Sequence, residues 1–97
     1  MEMIQISVEF SAVSRVITGV SEFPLSLKKG ATIGDVIASI GQKYPQLIGE
    51  IIEKDGKALI PTNVFSVNGK QILHETDMAF QPANRDTLIL LSLLSGG

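Results

Sequence analysis

Residues 88–94 read Leu-Ile-Leu-Leu-Ser-Leu-Leu, an apolar run broken only by Ser92. A strand apolar on both faces has to be covered on both sides by neighbours, so this segment predicts a central strand, Leu88 to Leu94. The sheet around it is written upstream. Ile4, Ile6, Val8 and Phe10 alternate with Gln5, Ser7, Glu9 and Ser11, the period of two of a strand with one buried face. After a loop containing Gly19, Phe23, Leu25 and Leu27 repeat the alternation, and Lys28-Lys29-Gly30 closes it as a turn. These two strands are expected to form a hairpin.

Thr32 is placed as an N-cap, Asp35 puts a negative charge in the first helical turn, and Ile33, Val36, Ile37 and Ile40 recur at helical spacing. Pro45 bounds this principal helix. Gln46 to Glu53, carrying Leu47, Ile48, Ile51 and Ile52, reads as a short helix ahead of a turn at Asp55-Gly56. Asn63 to Val67 is rich in strand formers, Asn68-Gly69 is a type I′ hairpin signal, and Gln71 to Leu73 supplies the returning strand. From His74 to Arg85 the pattern is irregular, with Pro82 and Asn84 favouring loop. One main helix across a mixed sheet is an α+β domain of the β-grasp, ubiquitin-like kind, spanning residues 1–94 and followed by a flexible Ser-Gly-Gly tail, 95–97. A ferredoxin-like sandwich is the alternative, but it needs a second long amphipathic helix that Gln46 to Glu53 is too short to supply.

The 97 residues suffice for one domain, burying roughly 60 to 65% of the unfolded surface. There is no cysteine, which excludes disulfides, thiolate zinc sites, iron–sulfur clusters and thiol chemistry on side chains. Eight basic against ten acidic residues give a net charge of −2, without the basic footprint that nucleic acid or anionic lipid attracts. Met1 to Phe10 lacks the basic start and apolar centre of an export signal, and 88–94 falls far short of the roughly 20 residues that cross a bilayer. A soluble, cytoplasmic protein is expected, with no nucleic-acid or membrane partner.

Few side chains offer chemistry. His74 is the only histidine, followed by Glu75 and Asp77, and reads as a solvated loop residue rather than a metal ligand. No serine lies in a Gly-x-Ser-x-Gly elbow, and no phosphate- or dinucleotide-binding glycine spacing occurs. Lys28-Lys29-Gly30 precedes a helix N-terminus where a phosphate could sit, but two lysines in a turn are also ordinary solvated punctuation. Glu50, Glu53 and Asp55 form a small acidic group, read as an exposed helix end that could also meet a basic partner surface. The expected reading is a carrier rather than an enzyme, with no bound metal or cofactor.

The remaining feature is Ser95-Gly96-Gly97 directly after the apolar strand. Glycines without Cβ let a tail thread a channel too narrow for side chains, and Leu93 to Gly97 fully extended would reach roughly 15 Å. The working group at such a tip is the α-carboxylate of Gly97, ionised at neutral pH with an unperturbed pKa of roughly 3.3 to 3.7. A partner that positions ATP could convert it to an acyl-adenylate. Sulfide would then yield a thiocarboxylate, and a lysine amine an isopeptide bond. The plain alternative is a frayed terminus in which glycine occurs by chance.

Gln42-Lys43-Tyr44-Pro45-x-Leu47, Asp55-Gly56-Lys57, Asn63-Val64-Phe65, Val67-Asn68-Gly69-Lys70 and Leu94-Ser95-Gly96-Gly97, with Phe10-Ser11-Ala12 and Arg15 at the end of the first strand, resemble in order and spacing the ubiquitin-like sulfur carrier family. Within it the pattern is most similar to the small subunit of molybdopterin synthase. Departures are Ser92-Leu93 where the family often has Pro-Pro, Asn84-Arg85-Asp86 for its Asp-Gly-Asp turn, and Ser66, which looks like an extra residue between Phe65 and Val67. The resemblance implies that Gly97 becomes the thiocarboxylate and that Gly96, in a tail with Ser95, lets it enter two active sites in turn. It implies that a ubiquitin-activating-enzyme-like adenylyltransferase charges it with ATP, and that the molybdopterin synthase large subunit receives the sulfur. Relatives serving thiazole synthesis, transfer RNA thiolation or lysine modification are the alternative. Phe10, Leu91, Leu93 and Leu94 are the candidate apolar docking residues, weighed against ordinary core packing.

Overall fold

The computed structural model describes residues 2–93. Its elements in chain order are strand β1 (Met3–Phe10), helix α1 (Ala12–Thr18), β2 (Glu22–Lys28), helix α2 (Ile33–Lys43), β3 (Asn63–Val67), β4 (Gln71–Leu73) and β5 (Thr87–Ser92), with 3-10 turns at Pro45–Leu47 and Glu75–Asp77. One mixed sheet runs β2-β1-β5-β3-β4. β5 lies at its centre, parallel to β1 with Val8 beside Leu88 and Phe10 beside Leu90, and antiparallel to β3 with Phe65 beside Leu90. This is the β-grasp arrangement. The strand ends at Ser92, so Leu93 falls outside it, and Leu94, the expected last strand residue, lies outside the described residues.

Alternation along the strands sorts the sheet into two faces. Ile4, Ile6, Val8 and Phe10 of β1, Phe65 and Val67 of β3, and Leu88 and Leu90 of β5 are buried and pack in one core with Ile33, Val36, Ile37 and Ile40 of α2. α2 starts where Thr32 and Asp35 close a reciprocal capping box: the Thr32 N–H donates to Asp35 Oδ2 at 2.8 Å and the Asp35 N–H to Thr32 Oγ1 at 3.4 Å. The carboxylate thus already occupies the helix N-terminus, where a phosphate beside Lys28-Lys29 would have sat. Lys29 pairs instead with Glu2 at 3.5 Å on the exposed surface.

Two further expectations change. The connection between β1 and β2 is a helix, α1, rather than a hairpin loop, although the two strands do pair antiparallel. Val13, Val16, Ile17 and Thr18 are β-branched and hide a seven-residue helix from a propensity reading. The Ser14 hydroxyl donates to the Ser11 carbonyl at 2.9 Å, and Gly19, at φ +71°, ends the helix by donating its N–H to the Arg15 carbonyl. Gln46 to Glu53 is not a helix beyond the single 3-10 turn. Gly49 sits at φ +92°, outside right-handed helical space, and the chain instead makes isolated bridges, Ile48 to Ile52 and Ile52 to Leu59.

The Asn68-Gly69 turn is as expected, with φ of +56° and +71° at its two central positions. Ser66 does not form a bulge. It pairs in register with Ile89 on one side and Ile72 on the other. Among the described residues no helix is long and apolar enough to cross a membrane, and no group of histidine, aspartate and glutamate could hold a metal ion.

Candidate functional site

Because β5 is central, its last residues emerge between β1 and β3 at one rim of the sheet. Beside the ladder to β3, two hydrogen bonds help to fix them. The Ser11 hydroxyl donates to the Leu90 carbonyl at 2.6 Å, and the Leu93 N–H donates to the Thr62 carbonyl at 2.7 Å. Leu93 is 61% exposed, and its side chain lines an apolar cavity of about 360 Å³ with Ile33, Ile37, Leu59, Phe65 and Met78. Ser95, Gly96, Gly97 and Leu94 lie outside the described residues.

Leu91 points to the sheet face opposite α2. It stands beside Val64 on β3, and one pair along Ile89 stands beside Ser66, which in turn faces Ile72 on β4. Leu91 with Val64, and Ile89 with Ile72 across Ser66, line the open face, where Val64 and Ser66 are buried and Ile72 is 43% exposed. On the other flank of Ile89 lies Glu9, paired in register with Glu22 of β2. The open face therefore has an apolar centre and an acidic flank.

Phe10 does not belong to this surface. It is 4% exposed and points into the core, with its ring centroid 5.2 Å from that of Phe23 and 5.4 Å from that of Tyr44 in an edge-on contact. The period that makes β1 amphipathic already puts Phe10 on the same face as Ile4, Ile6 and Val8, so its docking role is withdrawn in favour of core packing. Ile72 and Ile89 were missed, yet the alternation of Ile89 and Leu91 with Leu88 and Leu90 carries the signal for Ile89. Val13 and Val16, the latter 83% exposed, are a second apolar feature on α1 that the loop reading concealed. His74 is exposed and caps the 3-10 turn through its N–H to Asp77 Oδ2 at 2.9 Å, as an ordinary loop residue does.

Comparison with known proteins fits this geometry. Small archaeal modifier protein 3 of Haloferax volcanii is 29% identical over 93 residues, covering 96% of this chain and 99% of that one. The solution structure of small archaeal modifier protein 1 from Methanosarcina acetivorans is 28% identical, superposes with a TM-score of 0.78 and covers all of both chains. A putative molybdopterin converting factor subunit 1 from Pyrococcus furiosus shares the fold at a TM-score of 0.68 and 22% identity, over 92% of this chain and 97% of that one. The model of the ThiS family matches residues 8–97, from within β1 through the Gly-Gly sequence, and the chain belongs to that family of ubiquitin-like sulfur carriers.

Proposed function

We propose that this protein is a sulfur carrier whose Gly97 carboxylate is adenylated and then converted to a thiocarboxylate, which gives up its sulfur in molybdopterin biosynthesis. Family membership supports the carrier role, and the observation that carries it is the course of β5, which leads from the middle of the sheet to an exposed Leu93 just ahead of Leu94-Ser95-Gly96-Gly97. In the first step a carboxylate oxygen attacks the α-phosphate of ATP and pyrophosphate leaves. In the second a sulfide equivalent displaces AMP from the acyl-adenylate. Both steps belong to a ubiquitin-activating-enzyme-like adenylyltransferase. The protein contributes the carboxylate, glycines at 96 and 97 that admit it to a narrow channel, and a rigid body to grip. Leu91 with Ile72 and Ile89 supplies the grip, and Leu93 and Leu94 are further candidate docking residues. The molybdopterin synthase large subunit is the acceptor.

The test is intact-mass measurement after incubation with ATP, sulfide and an adenylyltransferase from the same source. Exchange of one oxygen for sulfur at Gly97 supports charging, and no exchange with any such enzyme removes the proposal. The Gly96→Val variant should keep the fold and lose the exchange.

The names of the two archaeal modifier relatives favour a second reading, in which the activated Gly97 is transferred to lysine amines. Conjugates in lysate that disappear when Gly97 is deleted would mark that use. Co-purification of a pterin-binding synthase subunit would mark the first.

A further inference from the structure

We propose that Asn68 is a deamidation site whose reaction is gated by Asp86 and Thr87. Asn68 and Gly69 form the exposed β3–β4 turn, and a Cβ built on Gly69 would meet nothing within 4 Å, so water and base reach this turn freely. The side chain of Asn68, however, is fastened to the start of β5. Its Oδ1 accepts the Thr87 N–H at 2.8 Å and its Nδ2 donates to Asp86 Oδ1 at 3.0 Å. A backbone donor on one side and a carboxylate on the other fix which atom of the amide is oxygen and which nitrogen. The Asn68 N–H donates to the Thr87 carbonyl at 2.8 Å, and Asp86 Oδ2 is itself held by the Ala83 N–H at 2.8 Å.

When the clasp opens, the Gly69 nitrogen can attack the Asn68 Cγ. The new N–C bond forms as the Cγ–Nδ2 bond breaks, and the Gly69 amide proton, relayed by water, leaves with the NH2 group as ammonia. Water then adds to one carbonyl of the cyclic imide and cleaves its bond to nitrogen, giving aspartate or isoaspartate. One water replaces one ammonia, and no electrons are exchanged. A carboxylate at position 68 would face that of Asp86 across the former hydrogen bond, so the product repels the start of β5 and loosens the β3–β4 hairpin from it. Asn63 and Asn84 precede Val64 and Arg85, whose side chains hinder the same attack, and serve as internal references.

Full-length protein incubated at neutral and mildly alkaline pH and mapped by peptide mass should deamidate first at residue 68. Folded protein should react at least roughly tenfold more slowly there than the same chain held unfolded in urea, and Asp86→Ala should recover much of that factor, as loss of a charge-assisted hydrogen bond allows. Ile6→Val, a comparable loss of stability in the core, should not accelerate it, and adding Gly69→Ala to Asp86→Ala should slow it again. Equal rates in folded and unfolded chain, equal rates in wild type and folded Asp86→Ala, or faster change at Asn63 or Asn84 would overturn the proposal.

Discussion

Ser11 donates its hydroxyl to the Leu90 carbonyl at 2.6 Å, so the residue that opens α1 is tied to the central strand two residues before that strand ends. The bond is part-buried and joins positions 79 apart in sequence. Removing the donor leaves a carbonyl short of a partner rather than returning it to water, which costs more than a surface hydrogen bond. Ser11→Ala is expected to destabilise by about 1 to 2 kcal/mol. The melting temperature should fall by at least about 4 °C, and thermal unfolding followed by circular dichroism measures it.

Arg85 sits at φ +75° in the turn ahead of β5, a left-handed conformation that favours glycine. Its backbone is pinned there because its N–H donates to the Gln5 carbonyl at 2.7 Å while the Gln5 N–H donates to Asn84 Oδ1 at 2.8 Å. A non-glycine residue in the left-handed region costs about 1 to 2 kcal/mol, partly offset because glycine has more unfolded-state freedom to lose. Arg85→Gly should therefore stabilise by about 0.5 to 1 kcal/mol. Urea unfolding with an unchanged m-value checks it, and a lower midpoint would show that the arginine side chain contributes something the hydrogen bonds do not.

How much of this was legible follows from how many residues a signal spans. β1, β2 and α2 each repeat their period several times, and the all-apolar character of 88–94 placed β5 at the centre of the sheet. α1 has seven residues, fewer than two clear periods, and its β-branched composition argues against the helix that Ser11 and Gly19 delimit. In 46–53 the apolar residues Leu47, Ile51 and Ile52 are buried as the spacing suggested, but Gly49 at positive φ makes them meet through bridges. Of the residues proposed for docking, Leu91 and Leu93 are accessible and Phe10 is buried. The partners of Leu91 on the open face depend on the register of β3 against β5, which no local pattern encodes.

Phe10 and Leu91 should consequently separate in their effects. Phe10→Ala empties a core position between Phe23 and Tyr44 and should cost about 3 to 5 kcal/mol, with partner binding lost only through unfolding. Leu91→Asp, on the half-exposed face, should cost far less stability while weakening binding to an activating enzyme by about tenfold or more, the effect of a charge placed in an apolar contact centre. Calorimetric titration alongside thermal unfolding distinguishes the two. Equal losses of stability would place Leu91 in the core.

Thr32→Ala should cost about 1 kcal/mol, since it removes the oxygen that accepts the Asp35 N–H and leaves an unpaired donor in the first turn of α2. Asp35→Ala should cost a similar amount by removing the charge that faces the helix dipole. If Lys28 and Lys29 formed a phosphate site, Asp35→Ala would create measurable phosphate-dependent stabilisation. Its absence, read as an unchanged melting temperature with added phosphate at constant ionic strength, is the expected result.

Glu9 and Glu22 stand directly opposite on the open face, and among the described residues neither has an ion-pair partner. Glu22 accepts a hydrogen bond from the Ser7 hydroxyl at 3.1 Å, so it is the member to keep. Like charges at paired positions of adjacent strands are destabilising, and replacing one by its opposite converts repulsion into attraction. Glu9→Lys is expected to raise stability by about 0.2 to 1 kcal/mol at low salt, a gain of a few degrees in melting temperature. Both residues are at the surface, so the gain should shrink as salt shortens the screening length. A gain that persisted in high salt would point instead to the lysine stem covering the neighbouring Ile89.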